Sequence, residues 1–244
     1  MTTTTTAPDE QVRRKLPWFL EIYRSYVGRK WVMAITGIVL LGYVAAHMIG
    51  NLKVYFGPEE INEYGEALRD LGGHLLPRTH LLWLLRIGLI AAFVLHIHAA
   101  YSLAASSNAA RGPEKYSRRD YVAANYASRT MRWTGTIVLL FLLWHLADLT
   151  WGVEPFAADG WERGDVYGNL VASFERVPVA AIYIVANVAL AAHIYHGMWS
   201  LFQSMGWSNP RFNRWRRWAS YGFAAVVLVG NLSFPIAVLG GLVD

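Results

Sequence analysis

The chain contains no cysteine among its 244 residues. Disulfides, thiolate zinc sites and Cys-held iron–sulfur clusters are thereby excluded for it, and any redox metal must be held by His, Met, Tyr or carboxylate. Charge is also scarce. Asp, Glu, Lys and Arg make up 16% of the residues, where soluble domains carry about a quarter. The shortage is uneven, because long apolar windows alternate with short charged loops, which is the membrane pattern. Residues 1–11 are Thr-rich and lack an apolar core, so they read as a disordered cytoplasmic tail and not as a cleavable secretory signal. What is abundant is apolar surface: 55% of residues are hydrophobic. The net charge of +5 is distributed as membrane topology distributes it, and does not argue for nucleic acid.

Five windows are long enough to cross a hydrocarbon core that needs roughly 20 helical residues. They are residues 31–54, 81–105, 133–151, 177–202 and 219–243. The expected fold is all-α, an integral membrane bundle of five helices. Lys and Arg sort cleanly between the connections. Arg13, Arg14, Lys15, Arg24, Arg29 and Lys30 precede span one; Arg111, Lys115, Arg118, Arg119, Arg129 and Arg132 fall between spans two and three; Arg211, Arg214, Arg216 and Arg217 precede span five. Acids dominate the other two connections, with Glu59, Glu60, Glu63, Glu66 and Asp70 in one and Glu154, Asp159, Glu162 and Asp165 in the other. The positive-inside rule then sets the N-terminus in the cytoplasm and the C-terminus outside. Residues 58–72 read as a short amphipathic helix, and 154–175 as a loop rich in Gly and Trp. No internal repeat or linker is evident. The expected organisation is a cytoplasmic arm (1–24) and one membrane domain (25–244).

Polar residues inside spans are costly, so those present point to function. Six histidines lie within spans: His47, His96, His98, His145, His193 and His196. Neutral imidazole is the usual axial ligand of electron-transferring haem iron, and two such ligands close its coordination. Depth suggests how they pair. Span one runs outward, so His47 lies about 24 Å past Trp31, and His145 lies about 18 Å past Trp133 on span three. Both sit near the outer face. Spans two and four run inward, with His98 roughly 26 Å past Leu81 and His193 about 24 Å past Val177, both near the cytoplasmic face. The expected arrangement is two b-type haems, the outer held by His47 and His145, the inner by His98 and His193.

Two histidines compete for these roles. His96 points roughly 200° away from His98 around its helix and suits interhelical hydrogen bonding. His196 lies on nearly the same face as His193. Ser102 follows His98 by one turn and Gly197 follows His193 likewise. Such small residues let a flat macrocycle lie against the helix, which favours His98 and His193; Gly37, Gly42 and Gly135 suit the same purpose. The carboxylates of a bound haem need partners. Arg86 is the candidate at the outer site, with Arg129 and Arg132 at the inner one.

The segments VAAHMIGN from Val44, HAAYS from His98, RWTGTIVLLFLLWHLADL from Arg132 and HIYHGMWSLF from His193 resemble the diheme cytochrome b membrane anchor of succinate dehydrogenase and fumarate reductase. The resemblance covers residues 24–243. It implies that His47 and His145 hold the distal haem and His98 and His193 the proximal one, with His96 and His196 as neighbours. It also implies a flavoprotein subunit and an iron–sulfur subunit docked on the cytoplasmic side of the inner membrane, lipid around the spans, and electron transfer to a quinone such as menaquinone. Glu66 stands where a carboxylate serves the quinone in some relatives; Ser25 and Arg29 are the candidates near the inner haem. The longer N-terminal arm and the presence of His96 and His196 depart from some relatives. Two other readings fit the residues: a diheme cytochrome b of another dehydrogenase, acting on formate or hydrogen, and a haem-free transporter or scaffold using its histidines for proton relay.

Overall fold

The computed structural model describes residues 17–111, 126–207 and 209–244, with the side chains of residues 111 and 126–129 outside that description. The expected tail and much of the basic second connection, including Lys115, Arg118, Arg119 and the Arg129 side chain, therefore lie outside the described residues. The described chain is all-helical. It contains five helices long and apolar enough to cross a membrane: Tyr26–Phe56, His80–Ala110, Thr130–Trp151, Val177–Ser204 and Pro210–Leu239. Each overlaps an apolar window read from the sequence.

A short helix, α1 (Trp18–Arg24), leads into α2 (Tyr26–Asn51). Ser25 starts α2 by accepting a hydrogen bond from the Gly28 N–H at 2.9 Å, an N-cap in the usual sense. Gly57 lets the chain turn at a φ of 102° into α3 (Pro58–Ala67), where Pro58 opens the helix and Glu59 and Glu60 occupy its positive end. The second span is α4 (His80–Arg111), and the third is α5 (Tyr126–His145). Immediately after His145 the helix widens into a π-helical turn over Leu146–Trp151, closed by Gly152 at a φ of 64°.

The region 154–175, expected to be a loop throughout, contains α6 (Val166–Glu175) in its second half. Asp165 nucleates this helix by accepting from the Gly168 N–H at 2.9 Å, and its buried face carries Leu170, Val171 and Phe174. The fourth span is α7 (Val177–Ser204) and the fifth is α8 (Asn213–Leu239). The last helix begins before its apolar window. Arg214, Arg216 and Arg217 alternate there with Trp215 and Trp218, residue types that sit well at a membrane interface.

The helices form two like units, α2–α3–α4 and α5–α6–α7, each a span, a short helix and a returning span. The repeat is visible in side chains once the helices are aligned. Met33, Thr36, Gly37 and His47 on α2 recur as Met131, Thr134, Gly135 and His145 on α5, at one constant offset. The sequence read linearly offers no contiguous similarity, and for that reason no repeat was expected. Within each unit the spans pack together, α2 on α4 and α5 on α7; the units meet through α2 and α7, and α8 lies against α7. Only 6% of the apolar window of α4 is buried, compared with 44% for α7, so α7 is the central helix and α4 the peripheral one. At one end α3 meets α6. Asn62 on α3 donates to Asp165 at 3.1 Å and accepts from the Val166 and Tyr167 N–H groups at 2.8 and 3.1 Å. Below this junction lies the main apolar core, including Val54, Ile61, Phe174, Tyr183 and Phe234.

Candidate functional site

Where α2 and α5 approach the α3/α6 end, His47 and His145 face each other, with ring centroids 5.8 Å apart and planes at 83°. Tyr43, one turn before His47, stacks on it at 5.5 Å with planes 9° apart. Asn51, one turn after, stands 3.4 Å from its Nε2. His145 is flanked by Phe141 and Tyr183, each with its ring centroid 5.9 Å away. The Tyr183 hydroxyl lies 3.4 Å from His145 Nδ1.

Towards the opposite end a second pair forms between the returning spans. The ring opposite His193 on α7 is that of His96 on α4, with centroids 6.5 Å apart and planes at 71°. The sequence reading paired His193 with His98. Because His96 and His98 are two residues apart on one helix, turning His96 towards His193 turns His98 away. The His98 ring instead stacks with Tyr23 of α1 at 5.7 Å, and its Nδ1 is hydrogen-bonded to the Tyr23 hydroxyl.

The inner pair is framed by the repeated motif. His96 Nδ1 lies 3.1 Å from the Met33 carbonyl and 3.2 Å from Thr36 Oγ1. His193 Nδ1 lies 3.4 Å from Thr134 Oγ1. Hydrogen bonding, the role expected of His96, is thus present at Nδ1 and leaves Nε2 for the partner ring. Gly37 and Gly135 provide the space: a Cβ on Gly37 would stand 3.5 Å from His96 Cε1, and one on Gly135 would stand 3.2 Å from His193 Cε1. His196 is buried on α7, and its Nδ1 has no hydrogen-bond partner among the described residues.

The remaining candidates are more dispersed. Arg86 on α4 lies with its guanidinium 5.2 Å above the Trp83 ring and within electrostatic range of Tyr43, beside His47. Arg132 is exposed near the start of α5. Glu66 is held by two guanidinium groups, Arg69 and Arg78, the latter at 2.5 Å, and Arg78 also reaches Asp70 at 3.1 Å. Ser25 is occupied in capping α2 and donates to the Ile22 carbonyl at 2.6 Å. Arg29 ties α2 to α4 through Ser102 Oγ at 2.5 Å and Ser106 Oγ at 3.0 Å. A largely apolar cleft of about 570 Å³ runs along α4 past His98, Tyr101 and Ser102.

The donor set distinguishes a haem from a bare ion. No group of three or more metal-ligating side chains occurs among the described residues, whereas haem iron takes four nitrogens from its macrocycle and needs two from protein. Two imidazoles on opposite sides of one metal, each bonded at about 2 Å, have ring centroids roughly 6 Å apart. The observed 5.8 and 6.5 Å agree with this. In the inner pair the Nδ1 atoms are bonded to carbonyl and hydroxyl groups, the outer-shell arrangement that orients metal-bound histidine.

Fold and site together define a multi-pass membrane protein whose span histidines meet in two facing pairs, one near each end of the bundle. Residues 115–232, just under half of the chain, match the family described as the succinate dehydrogenase/fumarate reductase transmembrane subunit. Five apolar helices and this match together describe a multi-pass membrane protein similar to such a subunit. No curated protein and no solved structure matches the chain. The matched region contains His145, His193 and the second copy of the repeated motif; the first copy, with His47 and His96, precedes it.

Proposed function

We propose that this chain is the diheme electron-transfer anchor of a succinate:quinone oxidoreductase, with His47 and His145 ligating the outer haem and His96 and His193 the inner one. The observation that carries this reading is the spacing of the two ring pairs, 5.8 and 6.5 Å between centroids. Bound haem would supply one-electron transfer between the iron–sulfur subunit and quinone. The chain's residues do the rest. The Met33 carbonyl and the Thr36 and Thr134 hydroxyls hold the inner imidazoles by Nδ1, so that Nε2 is free for iron. Gly37 and Gly135 leave room for those rings. Arg86 is the candidate partner of the outer haem carboxylates, and Arg129 and Arg132 of the inner ones.

The quinone is assigned to the cleft beside His98. Its apolar wall suits a quinone ring with its isoprenoid tail, and its polar groups are few, as in most small-molecule sites. His98, Tyr101 and Ser102 are the hydrogen-bonding groups that line it; Tyr23 and Arg29 bond to His98 and Ser102 in turn, and Ser25 caps the start of α2. Glu66 serves better as a structural ion-pair centre, since two arginines hold its carboxylate. In orientation, the α1 end faces the cytoplasm and the docked flavoprotein and iron–sulfur subunits, and the α3/α6 end faces outside.

The test is haem quantification on the purified complex together with His96→Ala and His98→Ala. The wild type is expected to contain two haems b per copy of this chain. His96→Ala retains one, whereas His98→Ala retains both and impairs quinone reduction. Loss of a haem in His98→Ala and not in His96→Ala refutes the inner assignment, and a haem-free wild type refutes the whole reading.

A further inference from the structure

Behind His145 the structure buries a charged network that the ligand pairs do not require. Asp148 is fully buried, in the π-helical turn that follows His145. Its Oδ1 accepts from Arg176 at 2.9 Å, and its Oδ2 accepts from Ser173 at 2.6 Å and from the Tyr183 hydroxyl at 2.9 Å. Arg176 is itself anchored to the Phe156 and Ala157 carbonyls at 2.9 and 3.2 Å. The Tyr183 ring is clamped edge-on by Phe174 and Phe141, with centroids 4.8 and 5.0 Å away.

Proton bookkeeping gives the network a direction. An ionised carboxylate only accepts, so Tyr183 spends its one proton on Asp148. The phenol oxygen can then only accept from His145 Nδ1, 3.4 Å away. Nδ1 therefore carries the hydrogen, and Nε2 keeps a free lone pair towards His47. The inner pair has no counterpart, since His96 and His193 are backed by neutral carbonyl and hydroxyl groups. Asp148 corresponds in the repeat to Gly50, which packs against the ring of Tyr64 instead.

Resting on the ligand assignment above, we propose that Tyr183 and Asp148 are positioning residues for the outer haem: they fix the tautomer and orientation of His145 and raise its basicity as an iron ligand. A more basic imidazole favours ferric over ferrous iron, so the network sets the outer haem to a lower potential than the same pair would have with a neutral backing. The device acts on one haem of the two.

The experiment is a redox titration of both haems in the purified complex, comparing wild type, Tyr183→Phe and Asp148→Asn, with the inner haem identified by its loss in His96→Ala. Tyr183→Phe keeps the clamped ring, removes the acceptor and leaves Asp148 bonded to Ser173 and Arg176. It is expected to retain two haems and to shift the outer ferric-to-ferrous affinity ratio about tenfold, which raises the midpoint by roughly 59 mV. Asp148→Asn shifts the outer haem in the same direction, and the low-spin electron paramagnetic resonance signal of that haem changes in both variants. An unchanged outer midpoint and signal in Tyr183→Phe, with two haems present, overturns this inference and leaves the ligand assignment standing. An equal shift of both haems overturns its restriction to the outer site. A wild type without haem removes the ligand assignment, and the network then has no metal ligand to position.

Discussion

Gly135 offers the sharpest test of the inner site. A Cβ there stands 3.2 Å from His193 Cε1 and 3.5 Å from Nδ1, already tighter than ordinary contact. Valine adds two methyl groups beyond that point, so the ring must move. It has little freedom to do so, because Thr134 holds its Nδ1 and iron would hold its Nε2. Overpacking of this kind costs about 1–3 kcal/mol, a roughly 5- to 150-fold weakening of inner haem binding. The equivalent Gly37→Val has a few tenths of an ångström more room beside His96, since a Cβ there lies 3.5 Å from Cε1 and 3.8 Å from Nδ1, and it should cost less. Gly222→Val on α8 meets nothing within 4 Å of its Cβ and serves as the control. Pyridine haemochrome analysis of the purified complex should give haem falling from two towards one per chain in the order Gly222→Val, Gly37→Val, Gly135→Val. The haem that survives should be the one lost in His47→Ala. Retention of both haems with unchanged spectra in Gly135→Val would refute the reasoning.

Two further outcomes concern the helical cap. Asn62→Ala removes one donor and two acceptor contacts between α3 and the start of α6 and should cost about 1–2 kcal/mol; an unchanged thermal transition in detergent would contradict the assigned role. Gly152→Ala places a Cβ 2.3 Å from the Trp161 ring at a φ of 64°, and about 1–3 kcal/mol of destabilisation is expected. Trp161→Leu should relieve part of that, so strict additivity in the double variant would show that the clash is not the cause.

The five spans were legible because the bilayer demands long apolar helices and tolerates few alternatives. The short helix α6 was not, since ten residues beside Gly-rich sequence have no strong period; the Asp165 cap was its only local signal. The neighbour of His193 depended on rotation about α4. Axial depth distinguishes His96 from His98 by only about 3 Å, and the match of the HAAYS segment favoured the latter. A usable signal was nevertheless in the chain. The Met-x-x-Thr-Gly spacing to His47 recurs before His145, and His96-Ile97 has its counterpart in His193-Ile194. The Asp148 network was illegible for a different reason: its members are scattered between residues 148 and 183, and only the π-helical turn after His145 brings them together.

The repeated motif also has an electrical consequence. On α2 the ring-bearing level of Gly37 and that of His47 are ten residues apart, and on α5 Gly135 and His145 are spaced identically. Ten helical residues span about 15 Å, half of a hydrocarbon core about 30 Å thick. One elementary charge crossing the whole core works against about 2.3 kcal/mol per 100 mV. An electron moving between the two levels would therefore gain or spend roughly 1 kcal/mol for each 100 mV across the membrane. With haems bound at both levels, the membrane voltage would act on the redox equilibrium between them, favouring transfer in one direction and opposing it in the other.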